Sequence, residues 1–358
     1  MTPMSGSDSL FVDGVIVIDK PAGPTSHDVV AVMRRMVRSS IGDRPSSIVH
    51  RPSSIVHRPS SIVTRRSTMA DRRSTMADRR STMKVGHTGT LDPLASGVLP
   101  LVLGKATRLA QFLASADKEY EAEIELGVTT TTLDRGGEVV PRDATRAVSD
   151  LTASLVEEAV AAFRGTYLQE PPAYSAKKVD GDRAYDLARR NTPVRLQPVT
   201  VTASALDVLE WRGSVLRVRL VCSAGYYVRS LAHAIGERLG TGGHLAALVR
   251  TRSGDFSLED AIGLDVLDRR PHEAAAGVIP LARLLPSLPA ITLTTEGASL
   301  AARGGFIGPA HVSGTEGLAS LSRSGRVRLL HPDGRLVAIA EPRAGGVAGF
   351  LHPGVVLE

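Results

Sequence analysis

The sequence predicts an α+β fold, and three observations predict it. Stretches that alternate apolar and polar residues occur at Lys118–Leu126 and Leu216–Cys222, the period of a half-buried strand. Segments with helical spacing, His27–Val37, Leu151–Phe163 and Tyr227–Leu239, fall between strands without the regular strand–helix alternation of a doubly wound sheet. Near the end of the chain, Arg326–Leu330 and Leu336–Ile339 flank Pro332-Asp333-Gly334, a turn that returns one strand antiparallel to the other.

Residues 1–13 are small and polar, and are expected to be disordered; they lack the basic-then-apolar order of a signal peptide. Val15–Ile18 is a strand, and the turn-rich Asp19–Ser26 ends in a cap signal, Thr25-Ser26, before the His27–Val37 helix. An apolar run, Val98–Leu103, follows the glycine-bounded segment Gly86–Leu99. Gly240 closes the Tyr227–Leu239 helix, and Pro280–Pro289 marks a boundary. A helical piece near Leu300 and the Pro-Asp-Gly hairpin make residues 290–358 a small β-rich domain, separate from a larger one over 14–285.

Residues 41–83 interrupt that larger domain. Arg-Pro-Ser-Ser-Ile-Val-His begins at Arg44 and Arg51 and ends as a variant from Arg58; Arg-Arg-Ser-Thr-Met-Ala-Asp begins at Arg65 and Arg72 and is truncated at Met83. A seven-residue period suggests a coiled coil, but a proline in each unit of the first block forbids a continuous helix. The units are too short and polar to bury much surface, so this heptad-repeat insertion is expected to be disordered. A basic arm touching phosphates is the alternative.

The charge balance depends on this insertion. The chain has 43 basic and 37 acidic residues, yet nine Arg and two Asp fall in 44–83, leaving 34 basic against 35 acidic elsewhere. Any nucleic-acid surface on the remainder must therefore be a local patch. One cysteine, Cys222, excludes an intrachain disulfide and multi-thiolate metal sites, and fits a reducing cytoplasm. No apolar stretch reaches the roughly 18 residues that a membrane span requires.

Gly86-His-Thr-Gly-Thr-Leu-Asp-Pro-Leu-Ala-Ser-Gly-Val-Leu99 carries most of the functional information. It places a lone acid, Asp92, in a loop where Gly86 and Gly89 are expected to supply unusual backbone angles. Local chemistry alone reads Asp92-Pro93 as the start of a helix, with Asp as N-cap and Pro at the first position. The alternative is a carboxylate aimed at a substrate with little freedom left to lose.

The second reading is favoured by a long motif. GHTGTLDPLASGVLPLVLGKATR resembles the catalytic loop of the TruB family of tRNA pseudouridine synthases. The resemblance implies a pseudouridine synthase fold, a mixed and largely antiparallel sheet followed by a PUA-like RNA-binding domain. It makes Asp92 the catalytic acid of an isomerase acting without cofactor or metal on uridine 55 in the T arm of tRNA.

Other site residues are carried over motif by motif. His87 matches a histidine that contacts RNA beside the flipped nucleotide, and Tyr120, in Lys118-Glu-Tyr-Glu, matches a tyrosine that stacks on the target base and accepts a proton. Tyr227 and Arg229, in Gly225-Tyr-Tyr-Val-Arg229, match an active-site pair, and an arginine there could orient the aspartate by a bidentate contact. Gln169–Lys178 resembles a cleft-lining segment, with Lys177 on a phosphate, and Leu248 is read as an apolar wall of the pocket. Lys20, Pro21 and Gly23 resemble a KPxGxTS motif that packs beneath the catalytic loop.

Such a loop requires the base to leave its stack, and a tyrosine platform with an apolar wall suits a flipped uracil. Three other readings compete. A non-catalytic RNA-binding or RNA-folding module would not need Asp92, Tyr120 and Arg229 together. A synthase inside a guide-RNA particle is disfavoured by the bacterial spelling of the motifs, so neither a guide RNA nor an obligatory protein partner is expected. A glycoside hydrolase normally pairs two carboxylates, and the motif loop offers one.

Overall fold

A computed structural model of the chain describes residues 10–41, 83–141, 144–174, 178–179, 182–183, 196–313, 325–342 and 350–358. Residues 1–9, nearly all of the repeat array and Lys177 lie outside them. Of the stretch through residue 13 expected to be disordered, residues 10–13 are described and are packed: Phe11 is buried in the core, and the Asp13 carboxylate accepts the Lys105 N–H at 2.9 Å.

The strands that build the site are β1 (Gly14–Lys20), β2 (Val85–His87), β3 (Ala95–Leu103), β4 (Lys118–Leu126), β5 (Gly165–Gln169), β6 (Val199–Arg212), β7 (Val215–Cys222), β8 (Gly243–Ser253) and β9 (Ala261–Gly263). They belong to one sheet of eleven strands, in the order β9-β1-β3-β8-β4-β7-β6-β5, with β2 paired to β3. Only β9 on β1 and β8 on β3 pair in parallel along this path; the other pairs are antiparallel. The sheet is thus mixed and largely antiparallel, as the sequence predicts.

Alternation in β4 is as read: Tyr120, Ala122, Ile124 and Leu126 are buried, while Glu119, Glu121 and Glu123 face out against Arg217, Arg219 and Arg252. The inner face is covered by three helices, α1 (Ser26–Ile41), α2 (Ala153–Ala161) and α3 (Val228–Leu239), whose apolar residues share one core with it. The apolar run after Asp92 is strand β3, buried along nearly its whole length. Asp92-Pro93 therefore does not cap a helix: the Asp92 carbonyl accepts the Ala95 N–H at 3.0 Å and closes a turn into the strand.

A second sheet of four strands contains β10 (Ala290–Thr292), β11 (Val327–Leu330), β12 (Leu336–Pro342) and β13 (Leu351–Val356), with α4 (Thr295–Ala302) packed on it. The hairpin turn falls at His331–Gly334, where Gly334 takes the left-handed conformation with φ 87°. Leu336, Ile339 and Leu357 share an apolar cluster with Val15, Val17 and Val98, so this sheet packs against the outer side of β1 and β3. Among the described residues no helix is long and apolar enough to cross a membrane.

Helix α3 reaches the sheet through a glycine. A Cβ on Gly236 would lie 2.2 Å from the Gly242 carbonyl carbon, and Gly242 N–H bonds the Gly236 carbonyl at 2.9 Å. This contact fixes the seat of the helix whose first turn carries Arg229. Gly236→Ala is expected to lower unfolding free energy by about 2 kcal/mol or more. Chemical denaturation checks it, and a change below about 0.5 kcal/mol would contradict the packing described.

Candidate active site

Two glycine-rich segments and one helix start converge at the edge of the buried core. The loop between β2 and β3 carries Asp92 and is fixed from below by the 20–26 turn. Gly23 N–H donates to the Pro93 carbonyl at 2.8 Å. Ser26 Oγ accepts the Leu91 N–H at 2.8 Å and donates to the Leu91 carbonyl at 3.1 Å. Lys20, fully buried, donates to the Pro21 and Pro24 carbonyls and so holds the turn that supports the loop. The KPxGxTS residues therefore lie under the loop.

Gly86 and Gly89 do not have the positive φ expected of them. Gly86 lies in β2, and a Cβ on Gly89 would lie 3.4 Å from Arg250 Nη1.

Arg229 begins the first turn of α3 and is 7% exposed, whereas the Asp92 side chain is 36% exposed. Arg229 Nε meets Asp92 Oδ2 at 2.8 Å. The contact is single, not the bidentate one expected. Each terminal nitrogen also donates to backbone: Nη1 to the Thr132 carbonyl at 3.1 Å and Nη2 to the Tyr174 carbonyl at 2.9 Å. The guanidinium is thereby fixed in position and presents one edge to a carboxylate that remains open to solvent.

Asp134 is a second carboxylate on the same guanidinium, its Oδ2 3.7 Å from Arg229 Nε, and sequence reasoning missed it. It is held in a tight turn: Oδ1 accepts from Thr132 Oγ1 at 2.6 Å and from Gly136 N–H at 2.9 Å. Neighbouring Leu133 has φ 61°, a conformation that costs a non-glycine residue energy and is retained where surrounding bonds enforce it. Those bonds run to β8, between Leu245 N–H and Leu133 and between Arg135 N–H and Leu245. The signal was an acid inside Thr129–Gly137, a turn-rich run like the one around Asp92.

Tyr120 lies on β4 and is buried. Burial pushes its pKa up, against a smaller downward pull from the Arg250 guanidinium, so the phenol is neutral at physiological pH. His87 ends β2 with its ring edge-on to His27 at 5.6 Å, and its Nδ1 accepts the Gly89 N–H at 3.3 Å. Burial, followed by the charges of His27 and Arg250, pulls its pKa down, which keeps it an acceptor toward the loop.

Tyr227 immediately precedes α3. Its N–H donates to Gln169 Oε1 at 2.8 Å and its carbonyl accepts from Gln169 Nε2 at 3.0 Å. Gln169 thus ties β5 to the helix that presents Arg229, and a buried pair beside it, Tyr167 Oη and Tyr226 Oη at 2.7 Å, completes the network. Leu248 is buried on β8, in register with Ala95 and Ala122, within the cluster that holds Leu91 and Tyr120.

The chain that carries this mixed sheet and the Asp92–Arg229 pair is placed among the pseudouridylate synthases by comparison with known proteins. The profile of the TruB family pseudouridylate synthase N-terminal domain matches residues 76–228, and that of the tRNA pseudouridylate synthase B C-terminal domain matches 229–285. A tRNA pseudouridine synthase B of Solibacter usitatus is 38% identical over 348 residues, spanning 97% of this chain and all of the relative. One from Thermobifida fusca is 38% identical, over 94% of this chain and 96% of its own. The chain belongs to the TruB family.

Among solved structures, a Cbf5-Nop10-Gar1 complex contains a chain that aligns with a TM-score of 0.61 at 25% identity, covering 96% of this chain and 85% of that one. An H/ACA RNP bound to a substrate RNA containing 2′-deoxyuridine aligns with a TM-score of 0.62 at 23% identity, over 98% and 86%. This last likeness speaks to fold alone.

Asp134→Asn preserves shape but removes one of the two carboxylates facing Arg229. The single-turnover rate on RNA is expected to fall about tenfold or more, with RNA affinity unchanged. Rapid-quench kinetics alongside an equilibrium binding titration checks this; an unaltered rate would show that Asp134 is not coupled to the reaction.

Proposed function

We propose that this protein isomerises uridine 55 in the T loop of tRNA to pseudouridine, with Asp92 as the catalytic carboxylate. One observation carries the reading: a solvent-open Asp92 carboxylate oxygen held 2.8 Å from a buried, backbone-anchored Arg229. The reaction breaks the N1–C1′ bond of the nucleoside, turns the base and forms C5–C1′, while the C5 proton is lost and N1 gains one. Nothing is oxidised or reduced. The acid loop supplies a carboxylate to the sugar or the ring, and Arg229 fixes which oxygen is presented.

The target base must leave its stack to reach this loop. Tyr120, neutral through burial, serves as the platform on which the everted uracil stacks, with Leu248 as an apolar wall and Tyr227 and His87 at the rim. The Arg217, Arg219 and Arg252 side chains on the outer sheet face are paired with acids, so that face adds little net positive charge. RNA binding then falls to local contacts, including Lys177 on a phosphate and the β-rich 290–358 unit, read as PUA-like, on the body of the tRNA. Full-length likeness to curated tRNA synthases supports action without guide RNA or obligatory partner, and the single Cys222 suits a cytoplasmic enzyme. The competing reading, an RNA-binding module without catalysis, leaves the Asp92–Arg229 pair without a purpose.

Asp92→Asn is expected to abolish pseudouridine formation in unmodified tRNA transcript and to leave the tRNA dissociation constant within about threefold. Near-wild-type conversion by the folded variant, measured by chemical mapping, would remove Asp92 from the mechanism.

A further inference from the structure

Arg250 is fully buried, only 1% exposed, and is the largest such side chain among the described residues. Its Nε donates to the Val98 carbonyl at 2.7 Å and its Nη2 to the Gly89 carbonyl at 3.1 Å. Its charge lies close enough to the Tyr120 hydroxyl to pull that group's pKa down against the larger effect of burial. Among the described residues no carboxylate comes within 4 Å of the guanidinium. Burying a guanidinium without a counter-ion is costly, and carbonyl acceptors only partly offset the lost hydration. The crowding is worse still: burial pulls Lys20 and Lys118 below the ordinary lysine range, Lys118 to about 8, and the Arg250 charge adds to both shifts. Stability alone would favour an apolar side chain here.

The sheet places Arg250 where three parts of the site meet. Its strand, β8, runs between β3 and β4, and Arg250 is in register with Gly97 on one side and Tyr120 on the other. Cross-strand partners share a face, so the arginine and tyrosine side chains rise together. Gly97 has φ 97°, and a Cβ there would lie 2.3 Å from the Arg250 carbonyl oxygen, so the close approach of β3 requires glycine. From this seat the planar fork reaches the loop at Gly89, three residues before Asp92, and the strand that follows the loop, while its strand position sets it beside the tyrosine.

We propose that Arg250 is a positioning residue for the isomerisation, fixing the spacing between the Asp92 loop and the Tyr120 ring so that carboxylate and stacked base meet in one geometry. The inference rests on the reading of Asp92 and Tyr120 given above. A lysine cannot replace it, because a single ammonium does not reproduce the separate Nε and Nη2 contacts to the Val98 and Gly89 carbonyls. Misplacement of reacting groups by about an ångström costs on the order of 100-fold in rate.

The test uses full-length Arg250→Lys and, as a neutral donor, Arg250→Gln, each checked for folding by circular dichroism. Single-turnover conversion of unmodified tRNA is expected to fall about 100-fold in both, with the tRNA dissociation constant within about threefold of wild type. The double variant Arg250→Lys/Tyr120→Phe should lose less than the product of the two single losses, since the arginine acts in part through the placement of the tyrosine. A folded variant with a rate within threefold of wild type overturns the inference. So does a loss confined to tRNA affinity, a fully multiplicative loss in the double variant, or failure of both variants to fold, which would make the role structural. An inactive wild-type protein would instead sink the functional reading itself.

Discussion

The site depends on one guanidinium. Arg229 is fixed on three sides by groups that cannot easily move: the Thr132 and Tyr174 carbonyls and the start of α3, itself clamped by Gln169. That leaves its Nε to determine where Asp92 points. An exposed carboxylate has many rotamers and little directional value; one paired to an immobile donor is preorganised, and catalysis gains when geometry is settled before the substrate arrives. Asp134, approaching the same nitrogen from a strained turn, helps hold the guanidinium against the neighbouring loop.

The rest of the fold can be understood as the means of bringing these parts together. The central strands β3, β8 and β4 place the Asp92 loop, Arg250 and Tyr120 side by side, because register across a sheet is set by a side-chain period of two. Helix α1 seals the loop from beneath through Ser26, and α3 docks on the sheet where Gly236 allows its backbone to approach. The outer face is left to a lattice of paired charges, which is polar without being strongly basic.

Much of this architecture was legible in the sequence, for identifiable reasons. The alternation of Lys118–Leu126, the helical spacing of Tyr227–Leu239 and the Pro332-Asp333-Gly334 turn are local signals, and each element forms close to where its pattern lies. Asp92-Pro93 was ambiguous for the opposite reason: a capping aspartate and a loop aspartate have the same neighbours, and only the strand that follows distinguishes them. Asp92, Tyr120 and Arg229 could be read from motif, and the structure brings Asp92 and Arg229 into direct contact. Gln169 opens the cleft-lining motif, but its clamp on Tyr227 could not be read in this way, nor could the roles of Asp134 and Arg250. Gln169 and Arg250 act through backbone groups far away in the chain, Gly89 and Arg250 being 161 positions apart, and Asp134 through the distant Arg229 side chain; no periodicity encodes such contacts. The bidentate pair expected of Arg229 failed because backbone carbonyls occupy its two terminal nitrogens.

The most direct measurement is nucleotide-resolution mapping of pseudouridine in a bare T-arm stem-loop transcript incubated with the purified protein alone. The account predicts conversion at the position equivalent to uridine 55, and at no other uridine, without added RNA, protein or cofactor. A folded protein that binds the stem-loop but leaves that uridine unchanged would contradict it.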